Sequence, residues 1–245
     1  MLADSEYDAL FAGVIGQEYE LLKLISPLAT EMSRLVGHAV ESYARQHLHT
    51  LQILELGGGT GVTTLAILSA TANLQILSID KEAVMQDQAK QNLHAWVEQG
   101  KLTFREQDAL TALQALPEAS MDLVASAYTL HNFENDYRAD VHQEIFRVLK
   151  PGGQFINGDR YALDDVPTHT RQIQAEVSHW FEVLIPLQKA DVLKNWIVHL
   201  FSDESHDHIM REEPALEQLA NAGFVDIKLQ HRQEVNGLVT ALKPL

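Results

Sequence analysis

The chain has 245 residues, of which 46% are hydrophobic and 21% are charged, a composition typical of globular proteins that argues against a mainly disordered chain. Asp and Glu number 34 against 18 Lys and Arg, and the formal charge of −16 disfavours binding to a nucleic-acid backbone. The absence of cysteine excludes disulfides, thiolate metal sites and cysteine nucleophiles.

The first residues are acidic and lack the basic flank of a secretory signal peptide. Residues 56–79 carry no charge, but they are rich in Gly, Thr, Ser, Gln and Asn, which favours a buried βαβ unit over a membrane span. We therefore expect a cytoplasmic protein with no membrane association and no nucleic-acid partner.

The spacing of apolar residues divides a single domain, residues 1–245, into four zones. Residues 1–49 are predicted to form an N-terminal helical cap because their apolar residues share one helical face. Residues 50–160 alternate between strands and helices, a pattern that predicts a parallel sheet with right-handed crossovers. Residues 161–211 interrupt this alternation with a helical insertion, or lid, and residues 212–245 predict a closing helix and a strand pair.

Five apolar runs in the second zone predict strands, at 51–56, 74–80, 102–107, 121–126 and 154–157. The sequence Glu55-Leu-Gly-Gly-Gly-Thr-Gly61 follows the first of them. Glycine is needed where the backbone turns sharply or where a ligand must approach the main chain. The spacing is G-x-G-x-G, whereas a dinucleotide site would place a small residue at Val62.

A nicotinamide-dependent dehydrogenase is one interpretation of this glycine loop, because an acid after the second strand would suit the ribose of NAD. The chain even contains a Tyr-x-x-x-Lys pair, Tyr19 and Lys23. That pair precedes the glycine loop, whereas dehydrogenases that use such a pair carry it after the fourth or fifth strand. We therefore discount this alternative.

Residues 51–160 resemble the class I S-adenosylmethionine (SAM)-dependent methyltransferases. The motifs that carry the resemblance follow in order: Glu55, Gly57, Gly59 and Gly61, then Asp80, Asp108-Ala109, Lys150-Pro-Gly-Gly and Leu219-Ala-Asn-Ala-Gly-Phe. The resemblance implies a doubly wound α/β fold, with a mostly parallel seven-stranded sheet, an antiparallel last strand and a helical cap. It also implies SAM as the cofactor.

The resemblance implies roles for single residues. Asp80 is expected to accept both ribose hydroxyls and Asp108 the adenine amino group, while Ala109 leaves room for the ring. Glu55 is expected to orient the glycine loop or to contact the ammonium group. The complete set of predicted cofactor-binding residues is Tyr19, Glu55, Gly57, Gly58, Gly59, Gly61, Asp80, Lys81, Asp108, Ala109 and Ala127.

The N-terminal helices, the segment 159–165 and the helical insertion are similar to the carboxy-SAM synthases of tRNA wobble-uridine modification. In that family an N-terminal tyrosine contacts the cofactor, and Tyr19 is at the matching place. The family's asparagine after the fourth strand is replaced by Ala127, and its arginine for the extra carboxylate has no counterpart in the stretch 192–196. Because an uncompensated buried carboxylate is costly, we expect SAM itself.

His131 follows the fourth strand, at the edge where open α/β sheets bind ligands. Histidine exchanges protons near neutral pH, so His131 is a candidate general base. An equally weighted alternative is that His131 only forms a hydrogen bond within its own loop. Asn132, Asp159, Arg160 and Tyr161 are candidate contacts to the methyl acceptor.

Two further patterns receive structural interpretations. The segment from Asp203 through His206 to His208 is interpreted as a solvated loop, and no metal site is expected. Four aromatic residues of the insertion are interpreted as core packing that can also form a lid: Trp180, Phe181, Trp196 and Phe201.

The predicted function is transfer of a methyl group from SAM to an oxygen, nitrogen or carbon of a small-molecule acceptor. The alternatives are a cofactor-modifying enzyme similar to the carboxy-SAM synthases, and a SAM-binding module without turnover that meets a basic partner through its acidic surface.

Overall fold

A computed structural model describes Ile15 and residues 17–245, and for residues 17–20 it describes the backbone alone. The described part begins with two helices, α1 (Gln17–Ile25) and α2 (Pro27–Ala44). They are separated at Ser26, because Pro27 lacks the N–H that a continuous helix would use and instead suits the first position of α2.

Seven strands form one sheet in the order β3-β2-β1-β4-β5-β7-β6. Their bounds are β1 (Leu51–Leu56), β2 (Leu74–Asp80), β3 (Leu102–Glu106), β4 (Met121–Ala127), β5 (Leu149–Arg160), β6 (Val225–Gln233) and β7 (Asn236–Leu242). β7 runs antiparallel to β5 and β6, and the other neighbouring strands pair in parallel. The predicted doubly wound, mostly parallel seven-stranded sheet is confirmed.

The remaining helices connect these strands or cover the sheet. They are α3 (Val62–Ala70), α4 (Ala83–Asn92), α5 (His94–Glu98), α6 (Ala109–Gln114), α7 (Asn135–Val148), α8 (Val166–Leu184), α9 (Ala190–Asp203) and α10 (Glu212–Ala222). A short 3-10 turn, Leu130–Asn132, follows β4. Among the described residues, no helix combines the length and the apolar composition needed to cross a lipid bilayer.

β5 is longer than the predicted strand 154–157, and this changes the position of two candidate site residues. It pairs with β4 from Leu149 onward and with β7 as far as Arg160. Asp159 and Arg160 therefore belong to the end of the strand and not to a loop after it, so the ladder fixes their backbones.

The helical cap has its own apolar cluster, formed by α1, α8 and α9. Buried Ile25, Trp180 and Leu184 lie in it, and Trp196 packs against it. This confirms core packing for the two tryptophans. The same interpretation is wrong for Phe181 and Phe201, which are 46% and 75% exposed because they lie on the outer faces of their helices.

The helix α2 joins the N-terminal zone to the core by packing closely on α3. Gly37 of α2 lies against the backbone of α3, and a Cβ atom at this position would stand 2.8 Å from the carbonyl oxygen of Ala66. The close approach of these two helices therefore depends on the missing side chain at Gly37.

We expect Gly37→Ala to lower the free energy of unfolding by about 1 kcal/mol or more, because overpacking outweighs the better helix propensity of alanine. Urea denaturation measures the change. Ser42→Ala is the matched control, because Ser42 is an exposed position of the same helix. If Gly37→Ala is as stable as Ser42→Ala, the packing between α2 and α3 does not require glycine.

Candidate functional site

A cavity of about 510 Å³ lies between the carboxyl edge of the sheet and the helical cap. The glycine loop and the residues after β4 form its floor, and the cap contributes Leu22, Ser26, Trp180, Asn195, Trp196, His199, Leu200 and Asp203. Its size falls in the range of small-molecule sites. A larger groove of about 880 Å³ lies at the opposite edge, beside Asp122 and Lys150, but it contains no residue of the glycine loop.

Two glycines of the loop serve different purposes. Gly57 has a φ of +71°, and a Cβ there would stand 1.9 Å from Oγ1 of Thr129, so the fold itself requires glycine. Gly59 has a φ of +51°, and a Cβ there would meet no atom within 4 Å. The open space over Gly59 belongs to the cavity, where a ligand can approach the main chain directly.

Glu55 lies fully buried beneath this loop. Its Oε2 accepts a 2.7 Å hydrogen bond from Oγ1 of Thr64, whereas its Oε1 has no hydrogen-bond partner among the described residues. Burial raises the pKa of Glu55 to about 7, and the negative charge of Asp80 adds to this, although bonds from Thr64 and Ser78 oppose it. An unpartnered buried carboxylate oxygen fits the donor or cationic group of a bound cofactor.

Asp80 and Asp108 lie at the carboxyl ends of β2 and β3, but neither lines the cavity. Asp80 accepts backbone N–H bonds from Gly59 (2.7 Å) and Glu82 (2.8 Å), and so supports the glycine loop. Asp108 caps α6 and accepts a 2.6 Å hydrogen bond from the Tyr137 hydroxyl. The two carboxylates thus occupy the open part of the same edge, beside the covered cavity.

Four other predicted cofactor residues occupy different surroundings. Ala127 lines the cavity and Gly58 lies directly over Glu55. Lys81 is exposed beyond the end of β2. Tyr19 belongs to α1, but its side chain lies outside the described part of the structure, so its contact with the cofactor stays a prediction.

Asp159 forms a hydrogen bond with the imidazole of His131 and orients it. Nδ1 of His131 lies 2.6 Å from Oδ1 of Asp159, whose other oxygen accepts the backbone N–H of Leu130 at 3.0 Å. Burial alone would raise the pKa of Asp159, but the adjacent His131, with further hydrogen bonds from Arg160 and Asn157, holds it below its ordinary value. Asp159 therefore stays ionised and fixes the direction of the imidazole.

The four candidate acceptor contacts separate into two groups. Asn132 and Arg160 line the cavity, and Arg160 forms a bidentate pair with Glu176 at 2.7 and 2.9 Å. Asp159 and Tyr161 do not line it, so their contact with an acceptor stays a prediction. Tyr161 is 2% exposed and its hydroxyl accepts a bond from Asn157, because the chain turns inward after β5.

The sequence patterns do not predict the position of two residues, Asp203 and Arg138. Asp203 was interpreted as part of a solvated loop, but it ends α9, is 8% exposed and lines the cavity beside His199. Arg138 is 1% exposed and donates to the carbonyl oxygens of Leu130 and His208. It thereby ties the turn that carries His131 to the segment after α9. No local pattern marks Arg138 as buried.

We expect Glu55→Gln to remove a pH-dependent loss of stability. Between pH 4.5 and 7 the folded protein keeps a proton on Glu55 that the unfolded chain releases, so rising pH lowers the free energy of unfolding. The full effect is about 3 kcal/mol, and glutamine cannot ionise. Urea denaturation without cofactor measures the free energy of unfolding at pH 5 and pH 8. The free energy of the variant relative to that of the wild type should be higher at pH 8 than at pH 5. Exposed Glu98→Gln is the control, and equal behaviour of the two variants would contradict this role.

Comparison with known proteins points to one family. Residues 53–153 match the model of a methyltransferase domain family. The chain is 32% identical over 120 residues to a demethylmenaquinone methyltransferase of Leptospira interrogans, covering 49% of this chain and 46% of that one. It therefore spans about half the length of that relative.

Two further similarities extend over most of the chain. A carboxy-SAM synthase of Hamiltonella defensa is 24% identical over 224 residues, covering 89% of this chain and 81% of that one. The crystal structure of the CurJ carbon methyltransferase has a TM-score of 0.66 at 16% identity, covering 96% of this chain and 61% of that one, and this shows a shared fold. The methyltransferase-domain match and the order of motifs along the sheet assign the segment 53–153 to the class I SAM-dependent methyltransferases, whose cofactor is SAM.

Proposed function

We propose that this protein transfers a methyl group from SAM to a small-molecule acceptor held beneath the helical cap. The observation that carries the proposal is that the glycine loop and the imidazole of His131 open into one cavity of about 510 Å³. A cofactor site and an ionisable group aimed at an acceptor thus share one enclosed space, as group transfer between two bound molecules requires.

On the cofactor side of the cavity, the chain supplies hydrogen-bond acceptors and space. The unpartnered Oε1 of Glu55 suits a positively charged amino group, and the open main chain at Gly59 leaves room for the amino-acid part of SAM. Asp80 has acceptor capacity left for ribose hydroxyls, since each of its oxygens receives one backbone bond. When bound, SAM supplies a methyl group on a positively charged sulfonium.

On the acceptor side, the cavity offers an apolar wall and a few polar groups. Trp180 and Trp196 pack edge to face with ring centroids 5.2 Å apart. Nε1 of Trp180 and Oδ1 of Asn132 are buried without a hydrogen-bond partner in the described part of the chain. A flat, partly apolar acceptor that carries a donor and an acceptor group would satisfy both.

His131 is the group we assign to proton transfer. With SAM bound as the methyl donor, Nε2 of His131 would take the proton that the acceptor loses on methylation. Positioning in a closed site contributes roughly 7–11 kcal/mol to such reactions, and a general base adds about 10²–10⁴-fold. The protein therefore acts mainly by holding the two molecules together.

A cofactor-modifying reaction is the second candidate, favoured by the match to a carboxy-SAM synthase over 89% of the chain. An extra carboxylate on the cofactor would need a cation in the cavity. Arg160 is the single Arg or Lys among the described residues that line it, and Glu176 already occupies both ends of its guanidinium group. The charges of the cavity thus favour methyl transfer.

The proposal is tested by incubating the protein with methyl-labelled SAM and a fractionated cell metabolite extract. We expect label in a small molecule and formation of S-adenosylhomocysteine, both detected by mass spectrometry. A carboxylated cofactor without a labelled acceptor would support the second candidate. Binding of SAM with no turnover in any fraction would contradict both reactions and leave a binding module.

We expect Asp80→Asn to weaken SAM binding about tenfold or more, because two charge-assisted hydrogen bonds of roughly 1.5–3 kcal/mol each lose their charge. Calorimetric titration measures the affinity. Asp87→Asn is the matched control, because Asp87 is 65% exposed and pairs only with Lys90. An unchanged affinity in a folded Asp80→Asn variant would remove Asp80 from the site.

We expect His131→Asn to lower the methyl-transfer rate by about 10²–10⁴-fold and to leave SAM affinity nearly unchanged, because asparagine cannot take the proton. Exposed His94→Asn is the control in both measurements. If His131→Asn keeps most of the activity, His131 orients the acceptor without accepting its proton.

A further inference from the structure

We propose that His131, His199 and Asp203 bind one divalent transition-metal ion at the inner end of the cavity. His131 comes from the turn after β4, and the other two come from α9, where a spacing of four residues places them on the same helix face. The site goes beyond the methyl transfer proposed above and does not depend on it.

The distances suit an ion at the centre of the three side chains. Oδ2 of Asp203 lies 3.8 Å from Nε2 of His131 and 3.7 Å from Nε2 of His199, and one ligand atom from each residue lies within 4.8 Å of the others. These separations are too long for hydrogen bonds. Bonds of about 2.0–2.2 Å to a common ion need ligand atoms roughly 3–4 Å apart, and the exposed ring of His199 is free to close the remaining gap.

Asp203 supplies the electrostatic argument. Its side chain is 8% exposed, and it has no hydrogen-bond partner among the described residues. A buried carboxylate without a bonded partner is costly unless a positive charge lies beside it. Arg160 is near enough to interact with Asp203, but its guanidinium is already bound at both ends by Glu176. A cation bound between Asp203 and the two histidines would supply the missing partner.

His131 is already oriented as a metal ligand. Its Nδ1–H donates to the ionised Asp159, which leaves the lone pair of Nε2 directed toward Asp203. A carboxylate behind a histidine is the usual outer support of a metal-bound imidazole.

Two histidines and one carboxylate favour zinc, cobalt, iron or nickel over calcium or magnesium. Three protein ligands leave further coordination positions, and these face the cavity that His131, His199 and Asp203 line. A water molecule or an oxygen of the acceptor is the ligand of suitable chemistry there. A bound ion would withdraw Nε2 of His131 from proton transfer and would itself lower the pKa of a coordinated hydroxyl.

The experiment titrates tag-free, chelator-treated protein with Co²⁺ and follows the visible absorption of the ion and the heat of binding. We expect one equivalent to bind the wild type. His199→Ala and Asp203→Asn should each weaken binding about tenfold or more. His206→Ala, which removes an exposed histidine of the following segment, should bind as the wild type does. His199 is 59% exposed, so its removal leaves the core intact.

A second measurement compares melting temperatures with and without Zn²⁺. We expect the ion to raise the melting temperature of the wild type and of His206→Ala, and to raise that of His199→Ala by less at the same Zn²⁺ concentration. Absence of Co²⁺ binding, or equal binding by all four proteins, would overturn the site. Because no acceptor is needed, an inactive protein that binds Co²⁺ at these residues refutes only the methyl transfer, and an active one that binds no Co²⁺ refutes only the metal site.

Discussion

The buried carboxylate of Asp159 is the constraint on which the acceptor side of this protein depends. It lies at the end of β5 with no exposed surface, and a charge in such a place must be matched by donors. The backbone N–H groups of Leu130 and Arg160, together with Nδ1 of His131, provide them. Satisfying one carboxylate therefore fixes three things at once: the turn after β4, the end of β5 and the direction of the imidazole that faces the cavity.

The helical cap and the sheet are coupled through a second buried charge. Arg138 of α7 donates to carbonyl oxygens of Leu130 and Phe133 in the turn and of His208 beyond α9. Its burial lowers its pKa to about 10, and Asp159 opposes this effect, so the guanidinium stays charged at neutral pH. A shift of the cap would break bonds to a buried charge, which costs several kcal/mol. The roof and the floor of the cavity are thus held in one arrangement.

The parts of the molecule that the sequence predicted are those set by local patterns. The five core strands and the glycine loop from Glu55 to Gly61 follow from spacing within a few residues, whereas the doubly wound arrangement of the sheet is implied by the resemblance to a family. Asp203 and Arg138 could not be placed this way, because their burial results from α9 folding over the sheet edge and from α7 packing under the turn. The burial of Tyr161 could not be predicted for a related reason. The strand β5 extends beyond the apolar run from which it was predicted, so the chain turns inward only after the longer strand ends.

The charges in and around the cavity decide which ligands it accepts, and they matter more for this than the formal charge of −16 of the whole chain. Exposed charges are screened over about 8 Å at physiological salt, whereas buried ones are screened much less. Asp159 and Asp203 lie in or directly beneath the cavity wall, while Arg160 is neutralised by Glu176. The balance inside is negative. A cationic sulfonium, an ammonium group or a divalent ion is therefore favoured there, because the described residues that line the cavity offer an anionic ligand carboxylates and no free cation.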